Sequence, residues 1–149
     1  MSNYTETISN KLNTLLEHTY DAEKGYQKAA EHTDHNLLKS YFNRRSKERH
    51  DFGRHLKNEI IQFGETPEKT GSLTGSAHRT WMDTKALFSV NTAEAMLEES
   101  IRGEKTAVKD YEEVLKDAAI PPNTSQLLTQ QMNSIKSDLN TIKFLEDLS

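Results

Sequence analysis

Two glutamates lie in nearly the same local sequence, 81 residues apart. Glu23 falls in "DAEKGYQKAAE" and Glu104 falls in "RGEKTAVKDYEE", and in both segments a lysine follows directly and a second lysine follows five residues on. Each glutamate falls on the apolar stripe of a predicted helix, where a carboxylate is costly unless a cation or a hydrogen-bond donor meets it. The repeat therefore predicts a polar site inside a helical protein.

One chemistry for such acids is the binding of two iron or manganese ions between four helices. These centres take one glutamate from each of two helices and Glu-x-x-His from each of the other two. The two repeated glutamates meet the first requirement, whereas no Glu-x-x-His occurs on the remaining helices, and an aspartate stands where the second helix should carry histidine. The candidate metal ligands are Glu23, Glu48, Asp51, Glu104 and Asp138.

A second interpretation is a structural polar layer without metal. Arg45 falls on the apolar stripe of the second helix and is the expected cation for Glu23 and Glu104. A buried acid that is paired with arginine is tolerated, and a polar layer can set helix register. The residues expected to complete this layer are Arg45, Tyr26, Tyr111 and Gln131. Both interpretations stay open, because turns are located from sequence only to within roughly two to four residues.

Four long amphipathic helices must position these residues, because apolar side chains recur along the chain at steps of three and four. Asp34 is expected to cap the second helix, Gly64 to end it, and Pro121 with Pro122 to end the third. No stretch alternates with period two, so the predicted class is all-α. The predicted helices span residues 5–32, 35–63, 92–118 and 123–148.

The connection over residues 64–91 is far longer than antiparallel neighbours need. A crossover of about 40 Å would carry the chain back along the bundle, so that the third helix runs parallel to the second. A short helix is predicted within "SAHRTWMDTKALF", with Trp81 packed against the bundle. Two hairpins joined by one long crossover is the ferritin-like topology.

The segments "EKGYQKAAE", "RRSKERHDF", "GSLTGSAHRTWMDTKA" and "RGEKTAVKDYEE" carry a family resemblance. Together they resemble a bacterial ferritin-like four-helix-bundle family known only as a domain of unknown function. The resemblance extends over essentially the whole chain, and the length of the chain predicts a single domain over residues 1–149. The resemblance implies the fold and no established activity. No cofactor is expected, and di-iron or di-manganese is the alternative that kinship with ferritins raises.

Composition narrows the function further. The chain has 149 residues and a net charge of −4, with acidic and basic residues interspersed, so that no basic face favours nucleic acid. Cysteine is absent, which excludes disulfides and thiolate chemistry, and no apolar run is long enough for a membrane span. The expected compartment is the cytoplasm.

The expected function is a non-enzymatic bundle with an interaction or stress-related role, because no nucleophile, phosphate loop or complete metal-ligand set occurs in the sequence. Its expected partner is an unknown protein or a second copy, as in a homodimer. The alternative is a carboxylate-bridged di-metal oxidase or iron-handling protein, which the repeated core glutamates favour.

Overall fold

The computed structural model describes residues 2–68 and 92–148. These residues form four α-helices followed by a short 3-10 helix, and they contain no strand, so the all-α class is confirmed. Their bounds are α1 Ser2–His32, α2 Asn36–Gln62, α3 Ala93–Leu115, α4 Pro122–Thr141 and the 3-10 helix Leu145–Leu148.

Gly64 ends α2, as predicted. Its φ of 78° lies in the left-handed region, which glycine adopts without a steric penalty. The Gly64 amide donates to the Ile61 carbonyl at 2.8 Å, and the Glu65 amide donates to the Ile60 carbonyl at 3.2 Å. This pair of bonds is a Schellman motif, which satisfies carbonyls at the helix end.

The start of α2 differs from the sequence prediction in its cap. The cap is His35 rather than Asp34, and its ring Nδ1 accepts a hydrogen bond from the Leu38 amide at 3.2 Å. An imidazole nitrogen replaces the usual side-chain oxygen of a helix cap, because both can accept a hydrogen bond from a backbone amide of the first turn.

The last predicted helix is shorter than expected. It ends at Thr141 instead of continuing to 148, because Ile142 adopts an extended backbone. Beyond it, the Asp147 carboxylate accepts from the backbone amides of Lys143 and Phe144 at 2.9 and 3.0 Å. A side chain that bonds nearby amides offers the backbone an alternative to helix, which explains the early end.

The core is divided into two hydrophobic clusters along the bundle. The early-α2 cluster joins Leu38 and Phe42 with Met96 near the start of α3. The late-α2 cluster joins Leu56 with Tyr111 near the end of α3. Early residues of α2 therefore lie level with early residues of α3, so the two helices run parallel, as the ferritin-like topology requires. The short crossover helix and the packing of Trp81 lie outside the described residues.

The same clusters place α1 and α4 antiparallel to their hairpin partners. The first half of α1 and the first part of α4 belong to the late-α2 cluster, through Leu12 and Leu128 among others. The second half of α1 and Ile142, just past α4, belong to the early-α2 cluster. In the described ranges, no helix is long and apolar enough to cross a membrane.

Candidate functional site

Two arginines on one face of α2 interrupt the core between the hydrophobic clusters. Arg45 and Arg49 are four residues apart, so their side chains lie one above the other on the same helix face. Phe42 precedes this pair and Phe52 follows it on the same buried side of α2. The arginines are only 1% and 2% exposed, which is rare for this residue type unless partners are present.

Glu104 on α3 is the carboxylate that binds both arginines. Its Oε2 accepts from Arg45 Nη2 at 2.5 Å, and its Oε1 accepts from Arg49 Nη2. Glu104 is 1% exposed, so this contact is removed from water. One carboxylate therefore bridges two guanidiniums in the centre of the bundle.

Two further acids reach the same arginines from the edge of the core. Glu48 Oε1 lies 2.7 Å from Arg45 Nη1 and 2.9 Å from Arg49 Nη1. Asp138 on α4 accepts from Arg45 Nη1. Both acidic side chains are 27% exposed, in contrast to Glu104. These five side chains, Arg45, Glu48, Arg49, Glu104 and Asp138, are called the charged belt below; the belt joins α2, α3 and α4.

Burial and charge act in opposite directions on the acids of the belt. Burial raises the pKa of Glu104, but the charges and hydrogen bonds of Arg49 and Arg45 outweigh it and lower that pKa to about 2. At Glu48 burial prevails over the two guanidiniums and raises the pKa. Burial lowers the pKa of both arginines. Nearby groups, above all Glu104, together outweigh burial and raise the pKa of each arginine. Glu104 and the two arginines therefore stay charged near neutral pH.

Aromatic side chains border the belt. The guanidinium of Arg49 lies 5.9 Å from the ring centre of Tyr26 and 5.5 Å from that of Phe52, within the range of cation–π attraction. The hydroxyl groups of Tyr26 and Ser100 are 3.2 Å apart. Burial, followed by the charge of Glu104, raises the pKa of Tyr26, so its hydroxyl stays protonated.

Tyr111 and Gln131 form a separate polar contact beside the belt. The Tyr111 hydroxyl donates to Gln131 Oε1 at 2.7 Å, and Gln131 Nε2 donates to the Phe52 carbonyl at 3.3 Å. Burial also raises the pKa of Tyr111. This contact ties α3, α4 and α2 together next to the belt.

The candidate metal ligands separate into two groups. Glu48, Glu104 and Asp138 converge on Arg45. Glu23 lies elsewhere, with Oε2 at 3.2 Å from Nδ1 of His50, and Asp51 is half exposed and lies 3.4 Å from Arg54. The structure therefore does not join the five candidates in one ring.

The expected partnership of Arg45 is right for Glu104 and wrong for Glu23. Glu23 belongs to α1, and its backbone carbonyl accepts a hydrogen bond from the Ser46 hydroxyl of α2 at 3.0 Å. Its side chain reaches the outer edge of α2 and meets the exposed His50, whereas Arg45 points inward to α3 and α4. The partner of each glutamate therefore depends on which face of α2 packs against the helix that carries that glutamate.

Arg49 is the belt residue that the sequence prediction missed. The predicted stripe of α2 continued from Arg45 through Glu48, while the structure buries Arg49 almost completely. The sequence does carry a signal, because Arg49 follows Arg45 by four residues and precedes Phe52 by three. This spacing places both arginines on the same helix face as Phe52.

A bundle of two helical hairpins whose second and third helices run parallel has the ferritin-like topology. The chain belongs to the family described as "Domain of unknown function (DUF2383)", whose model matches residues 7–117. No relative was found among curated proteins.

Two solved structures show the same fold. The chain is similar to ferritin-like, diiron-carboxylate proteins from Bacillus anthracis strain Ames, with 21% identity, a TM-score of 0.70, and coverage of 99% of this chain and 96% of that one. It is also similar to a dodecameric thioferritin, the bacterioferritin-related protein from Bacteroides fragilis, with 14% identity, a TM-score of 0.71, and coverage of 97% and 83%. At these identities the likeness shows the fold alone.

The charged belt does not fit a di-iron or di-manganese centre. Its three carboxylates already accept hydrogen bonds from guanidiniums, which stand where a cation would have to bind. Among the residues that the structure describes, with the arginines in place, no group of three or more acidic or histidine side chains could hold a metal ion. The buried Nε of Arg45 has no hydrogen-bond partner within those same ranges, and an N–H donor repels a metal ion.

Proposed function

We propose that the protein is a non-enzymatic ferritin-like bundle that acts by binding a protein partner or a second copy of itself. In this proposal the charged belt is a structural layer of the core. The observation that carries it is the bridge from Glu104 to both Arg45 and Arg49, which uses the central acid for pairing. The proposed compartment is the cytoplasm, which suits a chain without cysteine.

The chemistry of the belt supports a structural role. A general base must accept a proton near the working pH, and Glu104, with a pKa of about 2, stays ionised far below that range. The raised pKa values of the arginines keep both of them charged. Buried charges that form ion pairs with one another, as Glu104 does with the two arginines, can instead specify which helices pack together.

The alternative is a carboxylate-bridged di-metal protein that oxidises a substrate or handles iron. The convergence of Glu48, Glu104 and Asp138 from three helices favours it, because di-metal centres of this fold draw carboxylates from several walls of the bundle. This alternative requires Arg45 and Arg49 to leave the space between the acids.

Elemental analysis separates the two functions. Protein purified from cells supplied with iron and manganese should carry far less than one metal per chain, and the Glu104→Gln variant should not differ from wild type. About two equivalents of metal in wild type, lost in Glu104→Gln and in Glu23→Gln, would establish the di-metal alternative. The same preparations should show a concentration-dependent mass by light scattering if the protein binds a second copy.

A further inference from the structure

Three carboxylates from three different helices meet around one side chain. Oxygens of Glu48 on α2 and Glu104 on α3 lie 2.7 and 2.5 Å from terminal nitrogens of Arg45, and an Asp138 oxygen on α4 contacts the same guanidinium. Arg45 is therefore the centre of the carboxylate group. Its side chain is 1% exposed, so no bulk water shares this role.

The charge of the belt depends on Arg45. With both arginines and all three acids ionised, the belt carries a net charge of −1. Without the charge of Arg45 it would carry −2, the charge that one divalent cation neutralises. Arg49 would remain beside Glu104 and Glu48 and would still balance part of their charge.

The oxygen ligands also match a class of ion. Carboxylate oxygens without histidine or thiolate suit hard cations such as Mn²⁺ and Mg²⁺, which complete their coordination with water. Truncation of Arg45 would leave space the size of its side chain lined by these acids, and a polar space of that size admits water.

We propose that Arg45 is a built-in counter-ion, and that it holds Glu48, Glu104 and Asp138 in the place of a divalent cation. The inference rests on the proposed function, in which the wild-type belt binds no metal. Its consequence is that removal of the Arg45 side chain converts the belt into a site for one hard divalent cation.

The test is Mn²⁺ binding by the Arg45→Ala variant, followed by electron paramagnetic resonance, because the signal of free Mn²⁺ is lost on binding. Arg45→Ala should bind about one Mn²⁺ per chain, with a Kd at least about tenfold below that of any wild-type binding. The double variant Arg45→Ala with Glu104→Gln should lose this binding. Lys47→Ala, a charge removal at an exposed position of the same helix, should behave as wild type.

The outcomes distinguish the two proposals. Tight Mn²⁺ binding by wild type that is lost in Glu104→Gln would overturn the proposed function. A wild type that binds no Mn²⁺, together with a folded Arg45→Ala variant that also binds none, would overturn only the counter-ion role.

Folding of the variant is followed by circular dichroism. If Arg45→Ala is unfolded without metal, recovery of helicity on addition of Mn²⁺ supports the proposal, because ligand binding stabilises the folded state. Arg45→Gln preserves much of the side-chain volume and provides a second folded variant. Failure of Mn²⁺ both to restore Arg45→Ala and to bind folded Arg45→Gln would contradict the counter-ion role.

Discussion

The two repeated glutamates have the same local sequence and different surroundings. Glu104 on α3 is 1% exposed and bridges two buried arginines. Glu23 on α1 has a side chain that is 21% exposed and contacts His50, itself on the surface. Both carboxylates fall on an apolar stripe, but Glu104 lies in the centre of the core, whereas Glu23 makes a contact at its edge.

The difference comes from the face of α2 that each helix meets. The inner face of α2 carries Arg45 and Arg49, which point to α3 and α4. The edge beside α1 carries Ser46 and His50 instead. Local sequence therefore places a charge near the core, while the face of the neighbouring helix decides whether that charge is buried among partners.

The largest expected effect is the loss of the central acid. Glu104→Gln should lower the free energy of unfolding by about 3 kcal/mol or more, because it removes the charge that two buried guanidiniums share. Glu23→Gln is the matched control and should cost less than about 1 kcal/mol, since its partner is exposed. Urea unfolding of both variants provides the measurement, and equal losses would remove the distinction between the two glutamates.

Acid should weaken the Glu104 bridge over a defined pH range. The pKa of Glu104 falls from an ordinary 4.5 to about 2 in the folded protein, so its contribution is complete above pH 4.5 and is lost as the pH falls towards 2. That shift corresponds to about 3 kcal/mol. Urea unfolding at a series of pH values should show this loss in wild type, and the Glu104→Gln curve should be flatter over the same range.

Glu48 should act with the opposite sign. Its raised pKa means that ionisation costs the folded state free energy, and this cost appears as the pH rises through the folded pKa. The Glu48→Gln variant should therefore lose less stability than Glu104→Gln at neutral pH. A loss as great as that of Glu104→Gln would show that ionised Glu48 is as strongly stabilised as Glu104.

Energetic coupling should exist for one glutamate and not for the other. In a double-mutant cycle, Arg45→Met and Glu104→Gln should interact by roughly 2 kcal/mol, because the double variant removes both charges of a buried pair. The parallel cycle of Arg45→Met with Glu23→Gln should be additive to within about 0.5 kcal/mol. Coupling in the second cycle alone would reassign Arg45 to Glu23.

The smallest effect is expected at the edge contact. His50→Gln should change the free energy of unfolding by less than about 1 kcal/mol, because the His50 side chain is 65% exposed. Urea unfolding of the variant beside wild type gives the comparison. A loss of several kcal/mol would mean that the contact of Glu23 with His50 belongs to the core.

Much of the architecture is readable from the sequence, because apolar periodicity and chain breakers report local structure. Gly64 marks the end of α2, and the long stretch after it indicates the crossover that makes α2 and α3 parallel. Apolar spacing predicts that α4 continues to residue 148, but the helix ends at Thr141, because the hydrogen bonds of Asp147 to nearby amides compete with helix. The spacing of apolar residues gives no information about such a local hydrogen bond.

The site was less predictable than the fold. The sequence identified Arg45 and Glu104 as buried charges, and both lie in the belt. It did not identify Arg49 as buried, nor the partner of Glu23, because a contact between helices depends on relative rotation and height. A rotation of α2 by one residue position, about 100°, would turn its edge face inward and carry Arg45 and Arg49 away from α3 and α4.

The pairing of Glu104 with both arginines in place of metal is best measured in a crystal structure of wild-type protein grown with excess Mn²⁺, with anomalous diffraction recorded at the manganese edge. Arg45 and Arg49 should both bind Glu104, and no anomalous peak should lie within the charged belt. A manganese peak bound to Glu104, with Arg45 turned away from the belt, would contradict this pairing.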